Sequence, residues 1–296
     1  MKNLNPEGFA LVNADDPLCL DAADAASAQV VTYALNYPNA MIVAEDYRPR
    51  PLGCSFRITI KNDLSCLGGW IYPPQSFAVS LPLPGKAAVY NGLAAAAGAL
   101  ILGQQIDDIA RGFKTFPGVK RRFELIRHNS ITVIDDTAPN PPALKALFES
   151  LSALSFKKAF IVLCLEKDKT DKDRKMALEL LEQEKSIPIG EIFLTASRSD
   201  TLSGQAGAKE ERAFRETWRA GGGIARLSFF QCLEDALEEA VLSLREGDLL
   251  LLLGGTGMNR AAALVSRMFE TPGETYDDKI VIPDEISTPG RVINPT

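Results

Sequence analysis

Apolar and polar positions along this chain change rhythm near its middle. Residues 8–17, GFALVNADDP, read as a buried strand ending in a polar turn, with a helix expected over residues 21–28. Residues 30–33 and 41–44 are short apolar runs of strand length, and residues 55–60 alternate as a half-exposed strand does. Residues 70–83 continue this strand-rich stretch, broken by Pro73-Pro74. The period then lengthens. Residues 89–102, VYNGLAAAAGALIL, predict an alanine-dense helix that stops at Gly103. A second helix is expected over residues 105–115, stopped by Pro117-Gly118.

Beyond residue 120 strands and helices alternate. Strands are expected at 131–134, 159–165, 191–195, 224–227 and 249–253, and helices at 141–154, 171–185, 209–220, 232–244 and 260–269. Such alternation predicts an α/β fold with a mainly parallel sheet covered on both faces. No GxGxxG follows the first of these strands, which argues against a dinucleotide site. The expected division is therefore a first domain over 1–119, a second over 120–270 and a proline-rich polar tail over 271–296.

Composition narrows the class. The formal net charge of -6 argues against broad contact with a phosphate backbone, so nucleic acid is not an expected partner. No apolar run is long enough to span a bilayer, and residues 1–10 lack the apolar stretch of a signal peptide, so the expected location is the cytoplasm. Cysteines number 5, scattered without a CxxC pair, and histidine numbers 1; no metal site is readable. The charge run over 166–175, EKDKTDKDRK, reads as a wet loop and helix start.

Several segments carry candidate chemistry, each with a plainer alternative. Asp135 and Asp136 close a predicted strand, where carboxylates accept hydrogen bonds from a ribose; capping of the next helix is the alternative, and it suits Asn140 better than two adjacent aspartates. Lys120, Arg121 and Arg122 sit at the expected domain junction, as a phosphate clamp or as ordinary surface cations. The turn 254–259, GGTGMN, presents backbone N–H groups to an anion or simply joins strand to helix. Asn91 is expected in the first turn of the alanine-rich helix, to read a base edge or serve the helix end. His128 is expected in a short turn over 127–130. No GxxxxGK[ST] occurs in these residues.

Taken in order, the segments resemble the Mur ligase superfamily, most closely the branch that adds the third amino acid to the peptidoglycan peptide. Asn13-Ala-Asp-Asp-Pro17 resembles its "NADDP", and Leu81-Pro-Leu-Pro-Gly85 with Val89-Tyr-Asn-Gly-Leu-Ala-Ala-Ala96 resembles "LPGxFNVYNaLAA". Phe116-Pro-Gly-Val-Lys-Arg-Arg-Phe-Glu124 resembles "vpGRfE", and Val133-Ile-Asp-Asp-Thr-Ala-Pro-Asn-Pro141 resembles "VvDYAHtP". Residues 247–257 resemble "GDxvLiaGKG". The likeness runs over residues 8–269.

The resemblance implies ATP-dependent joining of a carboxylate to an amino acid through an acyl phosphate. It implies part of a central ATPase domain followed by a Rossmann-like C-terminal domain. Carried over by position, Asn91 would contact adenine, Arg122 would reach the nucleotide from the C-terminal domain, and Asp136 would hold the ribose or help fix the domain orientation, while Arg198, Thr256 and Asn259 would lie on the amino-acid side. The departures matter equally. Pro139 stands for the histidine of "YAH", Ala88 for the first asparagine of "FNVYN", and Thr256-Gly-Met-Asn259 has lost the lysine, histidine and glutamate of "GKGHE". The expectation is weak or vestigial ATP binding, Mg2+ only where a partner supplies the missing site, and no catalytic residue in this chain alone. A rearranged sheet, a homodimer or a P-loop partner chain is expected to cover the incomplete sheet of the first domain; a non-catalytic nucleotide-binding or interaction protein, or one subunit of a split ligase, is the alternative.

Overall fold

The computed structural model describes residues 1–50, 52–128, 130–198 and 206–270. The expected tail over 271–296 lies outside the described residues.

The first sheet grows from β1 (Phe9–Asn13), with alternating burial. A tight polar turn ends it. Asn13 Oδ1 accepts from the Asp15 N–H, and Asp16 accepts from Leu18 N–H to cap α1 (Pro17–Ala23). Helix α1 thus begins four residues earlier than expected, because the Asp-Pro pair supplies both a cap and a pre-set first φ. β2 (Gln29–Ala34) and β3 (Ile42–Arg50) run parallel to β1; β4 (Gly53–Ile60) and β7 (Gln75–Leu81) are antiparallel. A small hairpin, β5 (Leu64–Ser65) and β6 (Ile71–Tyr72), lies between β4 and β7. The order β1-β2-β3-β4-β7 leaves β1 as an edge strand.

One face of this sheet carries α2 (Lys86–Ile101), and α1 lies on the other. Phe9 and Leu11 pack in the α2 core, while Ala10 and Val12 pack with Ala23. The alanines of α2 let it sit close: Ala96 and Ala97 are fully buried. α3 (Ile106–Lys114) adds Ile109 and Phe113 to the same core.

The second sheet has the order β12-β11-β10-β13-β9-β8. β8 (Glu124–His128) and β9 (Ile131–Asp136) form an antiparallel hairpin that the sequence reading missed; His128 ends β8 rather than lying in a turn. β10 (Ala159–Cys164), β11 (Ile189–Thr195), β12 (Arg226–Phe230) and β13 (Leu249–Leu253) are parallel to β9 or to its parallel neighbours. α4 (Pro141–Leu151), α5 (Thr170–Glu184) and α6 (Ala208–Ala220) bury one face. α7 (Leu233–Ser243) and α8 (Ala261–Phe269) bury the other. The all-leucine β13 shows why: Leu249, Leu251 and Leu253 enter the first core, Leu250 and Leu252 the second. No helix among the described residues is long and apolar enough to cross a membrane.

The two sheets meet where Gly85 caps α2. Its φ is 90°, and a Cβ built there would lie 2.0 Å from Ser150 Oγ on α4. We expect Gly85→Ala to cost about 1–3 kcal/mol from the positive φ alone, with more from the clash. Chemical denaturation checks this, and Ser150→Ala should recover part of the loss in a double-mutant cycle. Purely additive effects would show that the contact does not couple the two units.

Candidate functional site

In the second sheet the chain leaves β10 for α5 on one face and leaves β13 for α8 on the other. Adjacent strands whose connections diverge open a crevice at their carboxyl ends, the usual ligand position in open α/β sheets.

Arg121 dominates this end. Its guanidinium donates from Nε to Asp135 Oδ1 at 3.2 Å, from Nη1 to Gly255 O and Asn259 Oδ1 at 2.7 Å each, and from Nη2 to Gly254 O at 2.6 Å. One side chain from the linker therefore ties together the ends of β9 and β13. Asp135 is 1% exposed, and its Oδ2 has no hydrogen-bond partner. Burial pushes its carboxyl up to about 6, against the pull of Arg121 and with the push of Glu124 and Asp136. The surrounding backbone is bent to fit: Arg121, Phe123 and Ala138 have φ of 60°, 48° and 31°. The turn after β13 is closed from the other side by Ser197, whose Oγ donates to Gly257 O at 2.5 Å.

The sequence-derived residues fall into place unevenly. Asp136 ends β9 and accepts from the N–H groups of Phe123 and Ala138, each at 2.7 Å. Arg122 is exposed and donates to Thr137 Oγ1. Asn259 accepts from Arg121, and Thr256 begins a 3-10 turn, Thr256–Met258, next to Gly257. Arg198 is exposed, one residue beyond Ser197. Asn91 lies on the exposed side of α2, in its second turn rather than its first, because the helix begins at Lys86. No hydrogen bond among the described residues joins Asn91 to the Arg121 cluster. Asn140 caps α4, accepting from Ala143 N–H at 3.0 Å.

Two features went unread. Asp15 accepts from the N–H groups of Leu35, Asn36 and Tyr37 and, at 2.8 Å, from the Tyr90 hydroxyl. Burial opposes ionisation there, but these donors hold the Asp15 carboxyl below its ordinary value; burial and Asp15 push the Tyr90 hydroxyl up to about 12. The latch fixes the carboxyl ends of β1 and β2 against α2 one residue from Asn91. Its signal was the NADDP turn itself, since adjacent Asp residues in a turn seek free N–H groups. Secondly, the charge run is not wholly wet: Asp173 is 3% exposed. Burial pushes its carboxyl up to about 7; Lys172 works against this, and Glu210 and Glu166 reinforce it.

Comparison with known proteins places this geometry. The Mur ligase middle domain matches residues 1–99, and the Mur ligase glutamate ligase domain matches residues 121–256. The chain belongs to the Mur ligase superfamily. UDP-N-acetylmuramate--L-alanine ligase of Clostridium perfringens is 27% identical over 253 residues, covering 84% of this chain and 50% of that protein. UDP-N-acetylmuramoyl-L-alanyl-D-glutamate--2,6-diaminopimelate ligase of Bacillus licheniformis is 31% identical over 180 residues, covering 59% of this chain and 34% of the relative. A crystal structure of MurF from Acinetobacter baumannii shares the fold with a TM-score of 0.64 at 22% identity, over 91% of this chain and 54% of that one. The Mur ligase likeness therefore covers most of this chain but only from 34% to 54% of the length of these relatives.

Two outcomes follow from the geometry. Arg121→Ala strands the buried Asp135 and should cost about 3–5 kcal/mol, whereas Arg122→Ala on the surface should stay within about 0.5 kcal/mol. Equal losses in urea denaturation would contradict the latch. The folded protein also holds the Asp173 proton more tightly than the unfolded chain does. That contribution is full below about pH 4 and is lost as pH rises to about 7. Stability should therefore fall on going from about pH 5 to about pH 8, with Asp135 contributing up to about pH 6, and Asp173→Asn should reduce the slope above that. An unchanged slope in the variant would assign the effect elsewhere.

Proposed function

We propose that this chain is the nucleoside-side portion of a Mur-ligase-type assembly, dividing at residues 119/120 and acting in the cytoplasm. Asn91 contacts adenine, Asp136 the ribose and Arg122 the nucleotide; Arg198, Thr256 and Asn259 lie on the amino-acid side. One observation carries this reading: both family domains are represented, while no GxxxxGK[ST] occurs in these 296 residues.

The residues present fit a nucleoside better than a triphosphate. Each Asp136 oxygen uses one backbone donor, and a carboxylate has lone pairs left for ribose hydroxyls. The carbonyls of Gly254 and Gly255 are turned to Arg121. Among the described residues no group of three or more His, Cys, Asp or Glu side chains is set to hold a metal ion. Binding to ATP or ADP is then weak, about millimolar and worth about 4 kcal/mol. Phosphoryl transfer needs charge stabilisation on the transferring group, which a P-loop outside these residues would supply.

The relatives support the class more firmly than the branch. Proteins named for L-alanine and for diaminopimelate addition both match, and the third-residue branch is preferred here only on the quoted motifs. The edge strand β1, which pairs with β2 alone, supports a second strand pairing there. Self-association is favoured, since it needs no other gene product. A second reading, a non-catalytic nucleotide-binding protein, is supported by Arg121, which already satisfies the carbonyls of the glycine turn.

Isothermal titration with ATP and ADP tests the proposal. Binding near millimolar that weakens in Asn91→Ala and Asp136→Ala is expected, with no phosphate release by the chain alone. Submicromolar ATP affinity, or turnover that Asp136→Ala abolishes, would overturn it. Light scattering across dilution should give a mass above that of the 32.1 kDa monomer. A monomer at every concentration would remove the self-pairing part of the proposal.

A further inference from the structure

Helix α2 runs antiparallel to β1. Leu11 packs near Gly98 toward the helix end, and Asp15, just past the strand, meets Tyr90 in the second turn. That turn therefore lies over the carboxyl ends of the parallel strands β1 and β2, where open sheets take ligands. Val89 and Leu93 anchor its inner face, but the residues flanking Asn91 are small: Ala87, Ala88, Gly92, Ala94 and Ala95. Gly92 meets two aromatic edges through bare backbone, since a Cβ there would lie 3.2 Å from Phe56 Cζ and 3.4 Å from Phe113 Cε1. Small side chains let a helix sit close, but they have little shape to interlock, so packing leaves the rotation of this turn weakly specified.

A directional bond supplies the missing constraint. Of the polar side chains of α2, Lys86, Tyr90 and Asn91, Tyr90 is the one that bonds to the strand-end loops among the described residues. Its hydroxyl donates to Asp15 Oδ2 at 2.8 Å and accepts from Asn36 Nδ2 at 3.3 Å. Asp15 is in turn held by the N–H groups of Leu35, Asn36 and Tyr37, so the ring is tied to a fixed loop. Asn91, the next residue along, stays exposed.

We propose that Tyr90 is a positioning residue for base recognition: its bond to Asp15 sets the turn of α2 that aims the Asn91 carboxamide at a purine. This rests on the reading of Asn91 as the adenine contact and adds what gives that contact its selectivity. A carboxamide accepts from the exocyclic amino group of adenine through Oδ1 and donates to a ring nitrogen through Nδ2. Hypoxanthine presents a carbonyl in place of that amino group, so a well-aimed amide discriminates between the two and a loosely held one does not.

The test titrates the full chain with AMP and IMP, which differ at that one position of the base, followed by NMR at the Asn91 and Asp136 amides. AMP should bind about tenfold more tightly than IMP, and Asn91→Ala should abolish the preference. Tyr90→Phe keeps the ring and removes the bond. It should cut the preference to about threefold or less, while ribose 5-phosphate shifts at Asp136 stay unchanged. Asp15→Asn, which weakens the same bond from the other side, should move the preference the same way. In Tyr90→Phe/Asn91→Ala the preference should match that of Asn91→Ala alone, because both changes act through one amide. A preference that Asn91→Ala removes but Tyr90→Phe leaves intact would overturn the positioning role and spare the nucleoside reading. So would equal losses of AMP and IMP affinity in Tyr90→Phe. AMP without shifts at Asn91 in the unaltered chain would remove both.

Discussion

The second half of the molecule depends on one guanidinium. Arg121 reaches from the linker to the ends of two neighbouring strands and satisfies two carbonyls, an amide oxygen and a buried carboxylate. Removing an aspartate such as Asp135 from water is costly, and only a paired, hydrogen-bonded cation offsets it. The positive φ values of Arg121 and Phe123 are the strain accepted to bring that cation in. With the linker so placed, Asp136 receives the Phe123 N–H and Arg122 is turned outward. The same bonds hold the carbonyls of Gly254 and Gly255 on the guanidinium.

In the first half the comparable element is Asp15. Four donors converge on its carboxylate, three of them backbone N–H groups from the loop after β2. This fixes the rim of the first sheet and the start of α2 as one piece, with Asn91 on its exposed side. Gly85 then lets that helix start touch α4 without a side chain between them. The two units thus touch where Gly85 faces Ser150, and the linker between them is held by Arg121.

Much of the architecture was legible. The all-leucine strand 249–253 could only be a strand buried on both faces, and the βα alternation after residue 120 required helices on both sides of a parallel sheet. The β8–β9 hairpin was missed because Glu124–His128, ELIRH, has too few apolar positions to show a period. Helix α1 was displaced because apolar spacing was weighed above the Asp16-Pro17 start signal. The packing around the site was not legible. Nothing local distinguishes Arg121 from Arg122; that Arg121 is the one drawn inward is set by Asp135, fourteen residues away, and by carbonyls more than a hundred residues away. Long-range partners of this kind leave no periodic trace in a chain. The burial of Asp173 was hidden for the same reason, since it depends on α6 packing over α5.

The nucleoside site proposed for Asn91 and Asp136 has no GxxxxGK[ST] loop beside it in these residues. The most direct measurement compares the affinities of adenosine and ATP, both followed at the Asn91 and Asp136 amides. Equal affinities within about threefold, a difference of roughly 0.7 kcal/mol, are expected if the phosphates find no partner at that site. ATP binding there more than about a hundredfold tighter, roughly 2.7 kcal/mol, would contradict it.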